Sequence, residues 1–557
     1  MMRRTTPFLA VLGLIMLIIA GFIGTRFLKQ LIPTKEQADL TKLLGVEGDE
    51  VALYLNEELQ EKKGIFVKGQ TYLPIQWINQ ELNERFYWDN NEKLLVYALP
   101  NSIVYADSTS KGISGNPLIL LDKGVVYLSI GLVANYTDIK VSAYDTALHK
   151  RIFINNRWDQ KEMALVKKDG NVRVKGGIRS PIVTSVLKGS QVTVLKSMKT
   201  WDQIRTADGF IGYIERRRLG TRKNETPVST FKKPVYKNIS MNEPVCLVWH
   251  QMTNPDGNKT FDQLVGNTKG VNVISPTWFE LKDNEGNFIS LADKEYVKKA
   301  HKKGMQVWAL MNNFNSDVNT EILMGKTSAR RKLIEGLMKE VETYQIDGIN
   351  LDIEGIKEEA GVHYVQFIRE LSVACREKGI VLSIDNYIPT ASNAFYNRKE
   401  QGIVADYVII MGYDEHYAGG DAGSVASISY VQQGIKDTLL YVPKEKVINA
   451  IPFYTRIWAE GGEGKVSSSA VGIARAKEWV KDNKIELYWQ EALGQYYGEQ
   501  KTKEGMKRIW LEEERSIGLK MKAIKQHDLA GVACWKLGFE PASLWDEVRL
   551  DMELESN

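Results

Sequence analysis

The C-terminal half of the chain alternates short apolar runs with longer amphipathic runs. The amphipathic stretches, such as SARRKLIEGLMKEVETYQ and VHYVQFIRELSVACREKG, repeat their apolar residues at helical spacing. Eight strand–helix units over roughly 310 residues predict a (β/α)8 barrel, a fold whose active site lies at the C-terminal ends of the strands. The apolar runs of strand length are PVCLVWHQM, VNVISPTWFEL, QVWALMNNF, IDGINLDIE, IVLSIDNYI, ADYVIIMGYDEH, VINAIPFYT and AGVACWKLGF.

Residues 51–160 have a different pattern, in which shorter runs repeat. GQTYLPIQWI and KGVVYLSIGLV share Gly, Tyr, Leu and Ile at a constant offset of 55 residues, which predicts two related β-rich units. Each copy continues into a second strand-like run, NEKLLVYAL or LHKRIFIN. The region resembles the small module at the N-terminus of copper amine oxidases and in many bacterial envelope proteins. No copper is implied, because no histidine cluster accompanies the resemblance.

Residues 161–221 predict a small β-barrel. The runs NVRVK, VLKGSQVTVL, WDQI and DGFIGYI are separated by Lys-Gly-Ser and Ala-Asp-Gly turns. Their order resembles a bacterial SH3-like domain, which implies binding of peptidoglycan peptides; a structural spacer is the alternative. The polar, proline-containing residues 222–239 predict a linker to the barrel of residues 240–557.

The N-terminus carries a long uncharged run, TPFLAVLGLIMLIIAGFIG, at residues 6–24 after Arg3 and Arg4. Within residues 1–30 this predicts a transmembrane anchor or a signal sequence. The run is longer than the apolar core of a usual signal peptide, which favours a single-pass anchor with the rest of the chain outside a bacterial cell. Cleavage and secretion are the alternative. Residues 31–50 are expected to be a polar, helical spacer.

Composition excludes several classes of partner. The formal net charge of +4, from 73 basic and 69 acidic residues, is close to balance and does not indicate binding of nucleic acid. The six histidines have no metal-ligand spacing, so we expect neither a metal nor a cofactor. Three cysteines cannot form a disulfide framework, and we expect Cys246, Cys375 and Cys534 to be buried thiols because each lies in an apolar or amphipathic run.

Candidate chemistry lies in the fourth apolar run, IDGINLDIE. Asn350, Asp352 and Glu354 alternate there with isoleucine and leucine. Residues two apart in a strand point the same way, about 6.6 Å apart, so all three are expected to face the barrel interior. Glu354 lies nearest the C-terminal mouth, where a catalytic acid belongs. A polar row costs stability unless it is hydrogen-bonded or serves chemistry, so an inactive buried network is the alternative.

These motifs resemble glycoside hydrolase family 18. DGINLDIE matches its pattern Asp-x-x-Asp-x-Asp-x-Glu at Asp347, Asp352 and Glu354, while Asn350 stands where the pattern has Asp. MGYDEH, IPFYTRIW and CWKLGFE resemble the later strands of the family in the expected order. The resemblance covers about residues 244–551, and the tail is similar to the branch that includes bacterial spore-cortex-lytic N-acetylglucosaminidases.

The resemblance implies substrate-assisted catalysis, in which the 2-acetamido group of the sugar attacks the anomeric carbon. Glu354 is then the general acid and later the base, with a raised pKa. Asp352 holds the acetamido nitrogen, and Tyr413 binds its carbonyl. Asp347 and Asn350 support the site, and we expect Asn350 to donate a hydrogen bond to Asp352. The implied substrate contacts are Met411, Asp414, Arg456 and, as an apolar floor for the sugar ring, Trp535.

The sequence therefore predicts a membrane-anchored glycosidase that cleaves β-1,4 bonds at N-acetylglucosamine in peptidoglycan or a related polymer. The anchor and the SH3-like domain favour peptidoglycan, because they hold the barrel against the cell wall. A chitinase or chitooligosaccharide hydrolase is one alternative. A non-catalytic protein that binds cell-wall glycans is the other.

Overall fold

The computed structural model describes residues 11–18, 31–145, 149–461, 465–503 and 505–549. The chain divides into two compact units. The first comprises Met1–Phe86 and Ala106–Lys233, and the second comprises Tyr87–Tyr105 and Pro234–Asn557.

The predicted membrane segment at residues 6–24 lies mostly outside the described residues. Residues 11–18 are helical. Over the part of the chain that the structure describes, no helix has the length and apolar character needed to span a bilayer. The anchor or signal sequence stays a prediction.

The first unit begins with a seven-stranded sheet that contains the predicted repeat. In each copy a strand leads into a helix: Gln70–Pro74 into Ile75–Glu81, and Val125–Ser129 into Ile130–Tyr136. The two strands pair antiparallel, with Leu73 opposite Leu128. The second half of each repeated run is thus helical rather than extended. The other strands of this sheet are Glu50–Leu55, Glu58–Val67, Ile119–Asp122, Lys140–Tyr144 and Arg151–Asn155.

The SH3-like domain forms a second seven-stranded sheet in the same unit. Its core contains Val172, Val192, Ile204 and Ile214, all buried. The strands are Lys161–Val166, Gly170–Arg173, Ile182–Val186, Gln191–Ser197, Trp201–Arg205, Ile211–Glu215 and Leu219–Glu225.

The predicted spacer at residues 31–50 is part of this folded unit. Only Leu40–Leu44 is helical in it among the elements described. Gln37 forms a β-bridge with Ile182 of the SH3-like domain. Leu44 and Val46 are buried in a cluster with Phe153. The segment therefore packs against the rest of the first unit, because its apolar residues are buried in a hydrophobic cluster of that unit.

The second unit contains the predicted barrel. All eight strands form, and all are parallel. The barrel closes because the eighth strand pairs with both the first and the seventh. We label the strands β1 Val245–His250, β2 Val273–Pro276, β3 Gln306–Asn312, β4 Gly348–Asp352, β5 Val381–Tyr387, β6 Tyr407–Met411, β7 Val447–Pro452 and β8 Gly531–Trp535.

Helices cover the outside of the barrel. Ile349, Leu351 and Ile353 belong to the apolar cluster between strands and helices, which leaves the alternate residues of β4 to face inward. The helices are Phe261–Val265, Lys294–Lys302, Thr320–Met324, Thr327–Tyr344, Glu358–Lys378, Arg398–Val404, Ile428–Leu439, Ile473–Asp482, Glu514–Gln526 and Trp545–Val548.

A five-stranded antiparallel sheet is inserted between β7 and β8. The run IPFYTRIW is consequently split, since β7 ends at Pro452 and Tyr454 begins the first strand of the insertion. A shorter hairpin, Phe279–Leu281 with Phe288–Ser290, follows β2. The strands of the inserted sheet are Tyr454–Gly461, Val466–Gly472, Tyr488–Gln490, Gln495–Thr502 and Gly505–Leu511.

The run NEKLLVYAL belongs to the second unit rather than to the repeat. Its strand, Leu94–Ala98, pairs with Tyr87–Asp89. Asp89 accepts hydrogen bonds from the backbone and hydroxyl of Thr327, at 2.7 and 2.6 Å, at the start of a barrel helix. These buried polar contacts fix the hairpin on the outside of the barrel.

Candidate active site

A pocket opens at the C-terminal ends of the barrel strands. It is lined by the predicted residues Asp352, Glu354, Met411, Tyr413, Asp414 and Trp535, together with Trp249, Phe314, Asp385 and Tyr387, which the sequence analysis did not single out.

Glu354 lies two residues beyond the end of β4 and is held on two sides. Its backbone N–H donates to Asn313 Oδ1 at 2.9 Å, and Asn313 Nδ2 donates back to its carbonyl at 2.8 Å. The hydroxyl of Tyr387 donates to Glu354 Oε2 at 2.6 Å. Burial raises the pKa of the Glu354 carboxyl, the bond from Tyr387 opposes this, and the nearby Asp414 raises the pKa further. The net rise favours a protonated acid.

Asp352 is buried beside Glu354, and the two carboxyls share a hydrogen bond. Burial holds the pKa of Asp352 well above its ordinary value, and the charges of Asp385 and Glu354 add to the effect. Within the described residues its Oδ1 atom has no hydrogen-bond partner. Burial thus favours the neutral form of Asp352 and leaves its Oδ1 free for a ligand.

Asn350 does not contact Asp352 as expected. Its Oδ1 accepts from the Trp249 indole at 2.8 Å and from the Ser275 hydroxyl at 3.1 Å. Its Nδ2 donates to Asp385 Oδ1 at 2.7 Å and to Ser383 Oγ at 3.1 Å. The expected bond to Asp352 is wrong, because both amide hydrogens are used on β5.

Asp385 and Tyr387 are the polar residues of the pocket that were not predicted from the sequence. Both belong to the run IVLSIDNYI, in which Ser383, Asp385 and Tyr387 alternate with other residues as the polar residues of β4 do. That alternation was the available signal. Asp385 is buried, and burial raises its pKa well above the ordinary value, although the bond from Asn350 opposes the rise.

Tyr413 and Asp414 follow β6 at the pocket wall. Tyr413 is packed edge-on to Tyr454 of the inserted sheet, with ring centroids 6.2 Å apart. Asp414 has a left-handed backbone, with φ of 59°, and accepts a hydrogen bond from the Tyr454 hydroxyl at 2.6 Å. Arg456 Nη2 lies 3.9 Å from Asp414 Oδ1. The insertion thus places Tyr454 and the predicted substrate contact Arg456 next to Asp414, although neither is among the residues that line the pocket.

Trp535, at the end of β8, supplies an aromatic surface to the pocket. Its ring centroid lies 5.7 Å from that of Trp249, at an interplanar angle of 60°. Trp249 is buried, whereas Trp535 remains partly exposed. An exposed indole face can stack on the C–H groups of a sugar ring.

Asp347 lies outside the pocket. It precedes β4, whereas Asp352 ends that strand, so about 16 Å of strand separates them. Asp347 Oδ2 accepts from the Val307 backbone at 2.8 Å and lies 2.7 Å from His301 Nε2. Its role is to join β3 to β4 at the N-terminal end of the barrel.

In the described ranges, the His, Cys, Asp and Glu residues form no group of three or more that could hold a metal ion. Cys246, Cys375 and Cys534 are buried, as expected.

Comparison with known proteins identifies the family. The model of glycosyl hydrolases family 18 matches residues 250–540, and the chain belongs to this family. Residues 168–220 match the bacterial SH3 domain. The similarity of residues 51–160 to copper amine oxidase modules stays a prediction.

Two curated relatives and one solved structure illustrate the match. An uncharacterized glycosylase, YvbX, of Bacillus subtilis (strain 168) is 27% identical over 299 residues, which are 50% of this chain and 84% of that protein. A cortical fragment-lytic enzyme of Bacillus anthracis is 24% identical over 244 residues, which are 42% of this chain and 56% of that protein. The chitinase of Chromobacterium violaceum ATCC 12472 has the same barrel fold, with a TM-score of 0.50, 19% identity, and coverage of 55% of this chain and 98% of that one.

Proposed function

We propose that the chain is a retaining glycosidase that cleaves β-1,4 bonds at N-acetylglucosamine in peptidoglycan. The observation that carries this proposal is the pair formed by Glu354 and Asp352. Both carboxyls line the pocket at the barrel mouth, they share a hydrogen bond, and burial raises the pKa of each.

The pair suits substrate-assisted catalysis. Glu354 gives its proton to the leaving glycosidic oxygen while the acetamido oxygen of the sugar attacks the anomeric carbon. The free Oδ1 of Asp352 accepts the acetamido N–H as positive charge develops on that group. The Tyr413 hydroxyl holds the acetamido carbonyl, and Trp535 lies under the ring. Glu354 then takes a proton from the water that opens the intermediate.

Peptidoglycan is favoured over chitin by what surrounds the barrel. Several relatives are cortical fragment-lytic enzymes of Bacillus species. A bacterial SH3 domain precedes the barrel. An apolar anchor at residues 6–24 would keep both domains near the outer face of a bacterial membrane, where tethering raises the local concentration of enzyme at the wall.

A chitinase is the second candidate, because the pocket residues recognise the acetamido sugar and not the lactyl peptide. Solved chitinases share the barrel fold. Whether the enzyme cleaves peptidoglycan or chitin therefore depends on the groove beyond the acetamido site.

The test is mass spectrometry of borohydride-reduced fragments released from purified peptidoglycan. The full chain, purified in mild detergent, is compared with Glu354→Gln and with Glu335→Gln, a control at an exposed helix position. We expect reduced N-acetylglucosamine ends from the parent and the control, and none from Glu354→Gln. Release from chitin oligomers alone would favour the second candidate. Binding to the wall without release by any variant would contradict catalysis.

A further inference from the structure

The orientation of the Asn350 amide is fixed by its neighbours. The Trp249 indole N–H can only donate, so the amide oxygen must face it, at 2.8 Å. The NH2 group is thereby turned toward β5, where it lies 2.7 Å from Asp385 Oδ1. An amide flip would place an N–H against the indole N–H and a carbonyl against a carboxyl. The packing around Asn350 therefore requires its amide to donate a hydrogen bond to Asp385.

Asp352 and Asp385 are buried carboxyls that lie on neighbouring, paired strands and line the same pocket. Both are almost completely excluded from solvent, and each is affected by nearby negative charge. Two such carboxyls cannot both ionise cheaply, which favours a single charge on the two. Their partners favour Asp385 as the charged one. Asp385 receives the Asn350 donor, whereas the hydrogen-bond partner of Asp352 is another carboxyl, that of Glu354.

We propose that Asp385 is a positioning residue that supplies, from β5, the proton-sharing carboxyl that the family pattern places at position 350. The inference rests on the proposed function. In the free enzyme Asn350 stabilises the charge on Asp385, and the proton stays on Asp352.

The pair then responds to the reaction. As positive charge forms on the acetamido nitrogen, the proton moves from Asp352 to Asp385. One O–H bond breaks at Asp352, one forms at Asp385, and the total charge of the pair is unchanged. Asp352 becomes a carboxylate beside the cationic intermediate without taking a proton from solvent or releasing one to it.

Among the described residues, the other groups that act on the pair are one carboxyl and three phenols, and the cation Arg398 acts on two of those phenols. The four groups are Glu354 after β4, Tyr364 in the helix that follows, Tyr396 after β5 and Tyr413 after β6.

The test is an exchange of the carboxyl between the two strands. We compare the parent with Asp385→Asn, Asn350→Asp and the double variant, measuring kcat and KM for release of reducing ends from pH 4 to 9. We expect Asp385→Asn to lower kcat by about tenfold or more, with a smaller effect on KM. The acid limb of its pH profile should move to higher pH by about one unit or more, because Asp352 must then carry the charge itself without the donor that Asn350 gives to Asp385.

The double variant should recover most of the lost kcat, because it restores one carboxyl next to Asp352. Asn350→Asp alone should move the acid limb to higher pH. An unchanged acid limb in Asp385→Asn, or a double variant no better than that single variant, would overturn the proposal. If Asp385→Asn melts below the assay temperature, the folded double variant must be active, and an inactive one would overturn the proposal.

A second readout does not depend on turnover. Infrared titration of protonated carboxyls in the resting protein should show a buried acid that is absent from Asp352→Asn and retained in Asp385→Asn, where it titrates at lower pH. Loss of this acid in Asp385→Asn would place the proton on Asp385 and refute the assignment. A protein with the expected infrared behaviour but no glycosidase activity would refute the proposed function alone.

Discussion

The hydroxyl of Tyr387 donates a 2.6 Å hydrogen bond to Glu354 Oε2 and so connects β5 to the loop after β4. The bond favours the ionised form of Glu354, whereas burial favours the neutral form, and burial has the larger effect. Tyr387 therefore limits how far the pKa of Glu354 rises.

Replacing Tyr387 by Phe should move the basic limb of the kcat/KM profile to higher pH. Removing a donor from a carboxylate destabilises the ionised form, so the pKa of Glu354 rises. We expect a shift of up to about one pH unit, together with a fall in kcat of about tenfold as Glu354 loses its orientation. Tyr441→Phe, at an exposed position, is the control. A shift to lower pH, or none, would contradict this role for Tyr387.

The buried Asp352 should lower the stability of the protein at neutral pH. Its pKa is raised on folding, so below the unfolded value of about 3.9 both states are protonated and the group has no effect. As the pH rises above that value, ionisation of the unfolded state progressively reduces the free energy of unfolding.

Asp352→Asn should therefore be inactive but more stable than the parent at pH 7, with Tm higher by about 3 °C or more. The difference should shrink as the pH approaches 4. Differential scanning calorimetry from pH 4 to 8 measures this, with the exposed Asp317→Asn as control. A lower Tm for Asp352→Asn at pH 7 would show that the carboxyl stabilises the fold.

The ion pair between Arg330 and Glu370 joins two barrel helices, at 2.9 Å and with both side chains excluded from solvent. Arg330→Met leaves Glu370 as an uncompensated buried charge and should cost about 3–5 kcal/mol in the free energy of unfolding of the barrel unit. The double variant Arg330→Met/Glu370→Leu should recover most of that loss. Urea unfolding followed by tryptophan fluorescence measures both.

Arg475→Met is the matched control, because Arg475 and Glu478 form an exposed pair. Arg475→Met should lower the free energy of unfolding by no more than about 1 kcal/mol. An equal cost for the buried and the exposed variant would show that burial of the Arg330 pair does not matter.

The sequence predicts the barrel and most of the pocket because both follow local patterns. The eight apolar runs become the eight strands, and the alternation in IDGINLDIE puts Asp352 and Glu354 at the pocket. The same alternation in IVLSIDNYI was visible, yet the role of Asp385 depends on a contact with Asn350 across two strands. The predicted barrel makes β4 and β5 neighbours, but it does not show which side chains of the two strands meet.

Long-range packing explains the other differences. IPFYTRIW reads as one apolar run, but a strand boundary at Pro452 assigns its second half to an inserted sheet. NEKLLVYAL has the pattern of a repeat strand, but the bonds of Asp89 to Thr327 fix its hairpin on the barrel. Asp347 matches the family motif and yet lies at the opposite end of β4 from Asp352, since a motif gives spacing along a strand and not the end that faces substrate.

The central claim is that Glu354 acts with the acetamido group of the substrate itself, which requires retention at the anomeric carbon. Proton NMR of the first reducing ends released from peptidoglycan, recorded before mutarotation, measures the configuration directly. The account predicts β-anomers from the parent and from Glu335→Gln, and no new ends from Glu354→Gln. Initial α-anomers, or undiminished release by Glu354→Gln, would contradict it.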